Sequence, residues 1–300
     1  MNRAGGQSVH LIDASYFVFR AYYSVGIEMT DANNEPVNAL YGFSRFLGDL
    51  LEEAKPAHVA VAFDESLSSS FRNEIFPAYK ANREPAPPEL KRQFALCREL
   101  CRLLGVAEFS SPTHEADDII GTIAARLRGS GHRTVLVTRD KDLAQLIRDG
   151  DDYWDYAGER RYGYGDIEGQ FGVLPERMAD YLALTGDTVD NIPGVPGVGP
   201  KTAAALLQAF ASLEELYEGL DRVGKLPIRG AGKLPERLRL HREAAFFARR
   251  LTTIACDMPF ECTLETLLRR KPDLAALDAF YDRARFGAAL RRQAERLART

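Results

Sequence analysis

Residues 133–142 read Arg-Thr-Val-Leu-Val-Thr-Arg-Asp-Lys-Asp. A β-branched run, Arg133 to Thr138, stops one residue short of Asp140, with Asp142 close behind. Short apolar runs of this kind suit strands covered on both faces. The same ending occurs twice upstream, where Ser8 to Ile12 runs into Asp13 and Ala57 to Phe63 contains the run into Asp64. Val106 to Phe109 is one more short strand candidate. Helical patterns lie between and after these runs. Val37 to Leu51 has apolar residues at Leu40, Phe43, Phe46, Leu47, Leu50 and Leu51; Glu89 to Leu104 follows Pro85, Pro87 and Pro88; Ala116 to Leu127 and Lys141 to Ile147 complete the set. Strand–helix alternation predicts an α/β fold, a mostly parallel central sheet flanked by helices. Parallel strands bring their carboxyl ends to one edge, where open α/β sheets bind ligands.

Beyond this, Tyr153 to Tyr164 is aromatic-rich with a turn at Gly158 and predicts a hairpin. Its rings read as cross-strand packing ahead of a stacking platform for bases. From Leu174 onward the pattern is helical, apart from a weak strand signal at Leu251 to Ile254. This predicts a division at 172/173. The aromatic segment Tyr16 to Tyr23 has no assignment, and Ser66 to Ser70 reads as a polar patch without regular structure.

The 300 residues suffice to bury a large core. Apolar stretches such as Val59 to Phe63 are far too short to span a bilayer, and Met1 to Val9 has no apolar signal region. The four cysteines form no C-x-x-C pair and no disulfide framework, so a cytoplasmic setting is expected. Cys97 and Cys101, four apart on one helix, read as core residues rather than zinc ligands. The net charge of −4 is uneven: residues 1–200 carry 20 Lys and Arg against 30 Asp and Glu, and residues 201–300 carry 19 against 13. A polyanion responds to the local field, so this balance is compatible with nucleic acid.

The acidic strand ends are joined by Glu115, Asp117 and Asp118 at the start of a helix that follows a strand. Any one Asp after a strand is best read as a helix cap. Several segments converging on one edge are another matter. Two unit charges about 4 Å apart repel by about 4 kcal/mol at an effective dielectric of about 20. A helix N-terminus offsets only about 0.3–1 kcal/mol per charge. Divalent cations are the economical answer. An all-oxygen set without His or Cys favours Mg²⁺ or Mn²⁺ over Zn²⁺.

Asp187 and Asp190 add two acids before a glycine-rich stretch, Gly194-Val195-Pro-Gly197-Val-Gly199-Pro-Lys201-Thr202. Pro200 between Gly199 and Lys201, and the lack of a preceding strand, exclude a nucleotide-binding P-loop. The remaining readings are a backbone-phosphate site at a helix start or a tight inter-helix turn. By itself the stretch does not separate them; beside the acidic pocket, phosphate is favoured.

Taken together, Leu11-Ile-Asp13, Phe63-Asp64, Glu115-Ala-Asp117-Asp118, Thr138-Arg-Asp140-Lys-Asp142 and Gly186 to Thr202 resemble the 5′-nuclease, flap endonuclease-like family. The likeness is to the N-terminal 5′→3′ exonuclease domain of bacterial DNA polymerase I, over about residues 7 to 290. It implies a PIN-like catalytic core in 1–172 with a helical arch at about 66–92. Residues 173–300 then form a helical region with a helix-three-turn-helix DNA-binding element, which also takes K⁺. Asp13, Asp64, Glu115 and Asp117 are expected around a first Mg²⁺, and Asp118, Asp140, Asp142, Asp187 and Asp190 around a second, with Mn²⁺ as a substitute. Tyr79, Lys80 and Arg83 are expected as catalytic contacts to substrate phosphates. Arg72, Gly194, Val195, Gly197, Gly199, Lys201 and Thr202 are expected at DNA.

Two departures stand out. Arg139 occupies a position that is more often small in the family motif, and no polymerase region follows residue 300, so a standalone, monomeric, nucleoid-associated nuclease is expected. The implied activity is divalent-metal-dependent 5′→3′ exonuclease and 5′-flap endonuclease action on DNA flaps, nicks, gaps or overhangs, RNA-primed ones included, in replication and repair. Two cations about 3.5–4 Å apart neutralise the phosphate, activate water and stabilise the leaving oxygen. The rivals are a non-catalytic junction-binding paralogue and a PIN-like ribonuclease.

Overall fold

The computed structural model describes residues 7–24, 28–65 and 70–299. Most of the expected polar patch, at 66–69, and the start of the chain, at 1–6, lie outside the described residues. The strands are β1 (Ser8–Asp13), β2 (His58–Asp64), β3 (Ala107–Ser111), β4 (Arg133–Val137), β5 (Asp152–Asp155) and β6 (Arg160–Gly163). They form a six-stranded sheet in the order β3-β2-β1-β4-β5-β6. The first five run parallel and β6 pairs antiparallel with β5, closing the expected hairpin.

The front helices are α1 (Ala14–Tyr22), α2 (Asn38–Ala54), α3 (Phe71–Ile75), α4 (Pro88–Leu103) and α5 (Ala116–Gly129). Then come α6 (Tyr164–Phe171), α7 (Met178–Thr185), α8 (Pro200–Ala209), α9 (Leu213–Glu218), α10 (Leu220–Val223), α11 (Leu234–Leu240), α12 (Arg242–Thr252), α13 (Leu274–Arg283) and α14 (Ala288–Ala298). The unassigned aromatic segment is α1, which Asp13 caps by accepting from the Ser15 N–H. The expected helix at 141–147 is a 3-10 turn over Lys141–Leu146. The weak strand signal at Leu251 to Ile254 is overturned: it begins as the last turn of α12. A four-residue β-branched run does not separate the two states.

Both sheet faces are buried, as parallel strands require. Val9 and Leu11 pack with Ile119, Ile120 and Ile123 of α5 and with the helices from α7 to α12. Ile12, Val59 and Val61 pack on the other face with Phe43, Leu47, Leu90 and Leu100. Cys97 and Cys101 lie in that second core, fully buried. The chain ends in the same core. Leu277, Phe280 and Leu290 pack there, and the Val59 and Arg269 N–H groups donate to Leu267 and Ala57 carbonyls. Residues 264–298 thus return to the front of the molecule. Among the described residues, no helix is long and apolar enough to cross a membrane.

Of the arch expected at about 66–92, the described part contains α3 and then turns through Arg83. It is a short helix and a folded-back turn, and α4 starts at Pro88. That turn is stitched to the 187–191 turn: the Lys80 N–H donates to Asp190 O, and Asn82 and Asn191 side chains bind Thr188 O and Ala78 O.

Candidate active site

The chain adds β2 and β3 on one side of β1, then crosses by α5 to place β4 on the other. The order reverses between β1 and β4, which opens a crevice at their carboxyl ends. Asp13 lies one residue past the Ile12–Val137 register pair. Asp64 ends β2 opposite Ser111, and Glu115 and Asp117 follow β3 at the start of α5. Asp140 and Asp142 follow β4, and Asp187 and Asp190 arrive from the turn after α7. These eight acids line one cavity of about 550 Å³.

Neighbours aim several of these carboxylates. Ser15 Oγ donates to Asp64 Oδ2 at 2.6 Å, and the Ala116 N–H donates to Asp64 Oδ1 at 2.8 Å. Thr138 Oγ1 donates to Asp13 Oδ2 at 3.0 Å. Asp140 accepts from the Asp142 N–H at 2.9 Å. Capping and pocket formation are therefore one arrangement: Asp13 and Asp140 cap helical turns with one oxygen and face the crevice. Sequence reasoning missed Ser15, Thr138 and Lys141. Lys141 stands inside the quoted Asp-Lys-Asp motif; its Nζ donates to Asp187 Oδ2 at 2.7 Å and lies 3.2 Å from Asp142 Oδ1.

The crowding shows in the acidities. Burial, then the charges of Asp64 and Asp140, push Asp13 up to about 7. Burial and Asp140 do the same to Asp142, also up to about 7. Asp117 is raised well above the carboxylate range by burial and by Asp140, Asp13, Asp64 and Glu115. Asp187 goes the other way: burial opposes its charge, but Lys141 holds it below its usual value.

Lys80 and Arg83 reach the pocket rim. Lys80 Nζ donates to Glu115 Oε1 at 2.7 Å and stands 3.8 Å from Asp190 Oδ2, and Arg83 pairs with Asp190. Burial would lower the Lys80 ammonium, and Glu115 and Asp190 outweigh it and hold it above its ordinary range. Tyr79, expected as a contact to substrate phosphates, is turned inward. It is buried, and its hydroxyl lies 3.0 Å from Glu115 Oε2 and 3.2 Å from Asp190 Oδ2. The phenol thus bridges the two acids.

Arg72 and Asp118 lie apart from the other expected site residues. Neither lines the cavity, and both are buried and bound to one another. Arg139 sits exposed at the cavity mouth, near the Tyr16 hydroxyl at 3.3 Å and Asp155 at 3.7 Å, turned from the pocket acids.

The glycine-rich stretch forms the loop between α7 and α8. Val195 and Val198 are buried, while Gly197 has φ +76° and Arg237 packed over it. Gly199 caps α8, leaving Lys201 and Thr202 in its first turn, Lys201 exposed.

As a metal site the donor set is all carboxylate oxygen, which suits hard divalent cations. Asp142 Oδ1 is a buried oxygen that accepts no hydrogen bond. Among the described residues no three acids yet form a close cluster around one point. Lys80, Arg83 and Lys141 occupy places between them, as mutual repulsion of carboxylates dictates.

The chain is 38% identical over 282 residues to the thermostable DNA polymerase I of Thermus filiformis, covering 94% of this chain and 32% of that protein. It spans about a third of the length of such relatives. The fold is that of T5 5′-exonuclease, solved with zinc bound (TM-score 0.67, 21% identity, 98% of this chain and 99% of that one). The catalytic core of Rad2 with its DNA substrate shares it too (TM-score 0.61, 15% identity, 98% and 92%). Residues 8–172 match the 5′-3′ exonuclease N-terminal resolvase-like domain and residues 173–275 its C-terminal SAM fold, so the chain belongs to the 5′-3′ exonuclease family.

Proposed function

We propose that this chain is a divalent-metal-dependent 5′→3′ exonuclease and structure-specific 5′-flap endonuclease. It hydrolyses DNA phosphodiester bonds at flaps, nicks, gaps or overhangs during primer or flap removal in the cytoplasm. The observation that carries this is the convergence of eight carboxylates from separate segments on one cavity at the sheet's switch point. Family membership supplies the polarity and the polymer. DNA-bound neighbours of the same fold, Rad2 with substrate and human GEN1 with Holliday junction DNA, support a DNA partner.

Asp13, Asp64, Glu115 and Asp117 would hold one cation, and Asp140, Asp142, Asp187 and Asp190 a second; Mg²⁺ is the expected ion and Mn²⁺ its substitute. Bound there, such ions neutralise the scissile phosphate and ease ionisation of the attacking water. The chain's own residues do the rest. Ser15 and Thr138 fix the carboxylates of Asp64 and Asp13, and Tyr79 fixes Glu115. Lys80 and Arg83 place positive charge where the transition state gains negative charge. The α7–α8 loop, Gly194 to Thr202, grips the duplex backbone as a helix-three-turn-helix element, through backbone N–H groups and Lys201. A K⁺ ion at that loop belongs to the same reading.

A labelled 5′-flap duplex incubated with Mg²⁺, with EDTA, and against a matched RNA flap tests the proposal. Mg²⁺-dependent cuts at or near the junction of the DNA flap support it. Flap binding without cleavage supports the junction-binding paralogue, and preference for the RNA flap supports the ribonuclease.

A further inference from the structure

The pair excluded from the cavity is buried and densely hydrogen-bonded. Arg72 Nη1 and Nη2 donate to Asp118 Oδ2 and Oδ1 at 2.7 and 2.8 Å, a bidentate fork. Arg72 Nε donates to Leu251 O at 2.8 Å, and Nη2 also donates to Thr253 O at 3.0 Å. Asp118 Oδ2 accepts a second bond from the Glu115 N–H at 3.1 Å, and Oδ1 accepts one from the Ala255 N–H at 2.9 Å. An ionised carboxylate offers about four lone-pair sites. All four are taken here, and the residue has no exposed surface. Asp118 therefore has nothing left to give a cation, and Arg72, 3% exposed, has four of its five N–H donors committed inside the protein.

The pair joins three places in the chain. Arg72 lies in α3, which leads into the Tyr79–Arg83 turn. Asp118 lies in the first turn of α5, beside Glu115 and Asp117. Leu251, Thr253 and Ala255 close α12 and the segment after it. Arg72 Nη1 also stands 3.6 Å from Glu115 Oε2, the oxygen that Tyr79 holds.

We infer that Arg72 and Asp118 form a positioning clamp that sets Glu115, Asp117 and the Lys80 turn in register across the pocket, touching neither metal nor substrate. The inference rests on the nuclease reading for what the pocket does, while the clamp itself concerns which acids take cations. Charge is essential to it, since a buried guanidinium that loses its carboxylate is left uncompensated.

Two readouts separate the clamp from a ligand role. The first is Mn²⁺ stoichiometry by calorimetry on the full chain, which does not depend on cleavage. Asp118→Asn is expected to bind as many Mn²⁺ ions as wild type, with affinity weakened by roughly tenfold, whereas Asp117→Asn loses an equivalent. The second is a double-mutant cycle on flap cleavage with Arg72→Gln, Asp118→Asn and the pair together. The expected double variant is no worse than the poorer single one within about threefold. In the folded variants, kcat falls with KM nearly unchanged. Arg72→Lys recovers part of the loss, and the salt dependence of DNA binding keeps its wild-type slope.

Loss of one Mn²⁺ equivalent in Asp118→Asn overturns the inference, as do multiplying effects in the cycle. A salt slope lowered by about one in Arg72→Gln would instead make Arg72 a phosphate contact. If Asp118→Asn does not fold, Arg72→Lys carries the test through its Mn²⁺ count and slope. A wild-type chain that binds Mn²⁺ but does not cut the flap would defeat the nuclease reading and leave the stoichiometry test standing.

Discussion

Lys80 Nζ stands 2.7 Å from Glu115 Oε1, with its backbone in the left-handed region at φ +54°. A non-glycine residue held there carries strain of roughly 1–3 kcal/mol, and such strain collects at functional sites. The Lys80 N–H bond to Asp190 O and the ion pair to Glu115 offset it. Lys80→Ala is expected to lower kcat on a flap substrate by about 100-fold, the scale of one lost charge-stabilising donor, with a smaller change in KM. Arg83→Ala, removing a more exposed cation, should cost less. Single-turnover cleavage rates check both, and full kcat in Lys80→Ala would remove it from the chemistry.

Two glycines of the α7–α8 loop should respond oppositely to alanine. A Cβ on Gly194 would lie 2.3 Å from the Thr185 carbonyl carbon and 2.4 Å from Gly186 N, both backbone. Gly199 has open space and φ −91°. Gly194→Ala should destabilise by roughly 1–3 kcal/mol and weaken duplex binding; Gly199→Ala should leave stability within about 0.5 kcal/mol. Thermal denaturation compares them, and equal midpoints would contradict the close packing.

Crowded acids give the metal-free protein a definite pH dependence. Asp13 and Asp142 are raised to about 7 from 3.8, so between these values the folded state binds more protons than the unfolded one. Stability therefore falls as pH rises from about 4 to 7 through these two groups. The pocket's share favours pH 6 over pH 8, and Mn²⁺ should raise the thermal midpoint more at pH 8 than at pH 6. Neutral variants Asp13→Asn and Asp142→Asn should each shrink that difference. An Mn²⁺ effect independent of pH would contradict the crowding.

His10 makes a separate contribution of opposite sign. Burial, then the charge of Arg161, lowers it from 6.5 to about 4. The unfolded chain takes up the proton first as pH falls, so stability is lost from about pH 6.5 down through pH 4, by roughly 3 kcal/mol at most. His10→Asn should flatten urea-unfolding free energy between pH 7 and pH 4.5 relative to wild type. An unchanged slope would place the charge loss elsewhere.

Much of this arrangement is legible in the residues. Strand runs ending on Asp13, Asp64 and Asp140 fix both the parallel sheet and the edge that bears the acids, because strand direction alone decides which ends meet. Asp117 and Asp118 show what is not legible. Adjacent residues on a helix point about 100° apart, so one faces the crevice and its neighbour faces Arg72. The motif as a string does not say which. The return of α13 and α14 onto the Phe43 core is hidden for a related reason: an amphipathic helix declares a face without declaring its partner. The cations between the acids, Lys80 and Lys141, were visible as residues, but their partners lie far off in sequence: Glu115 is 35 positions from Lys80, and Asp187 is 46 from Lys141.

The most direct measurement is cleavage of a labelled 5′-flap DNA duplex in Mg²⁺ by wild type and by Asp117→Ala. Shared capture of divalent ions by the eight acids predicts short 5′ products from wild type and a rate at least 1,000-fold lower in the variant, with its DNA affinity retained. Equal cleavage by the two proteins would contradict the central assignment.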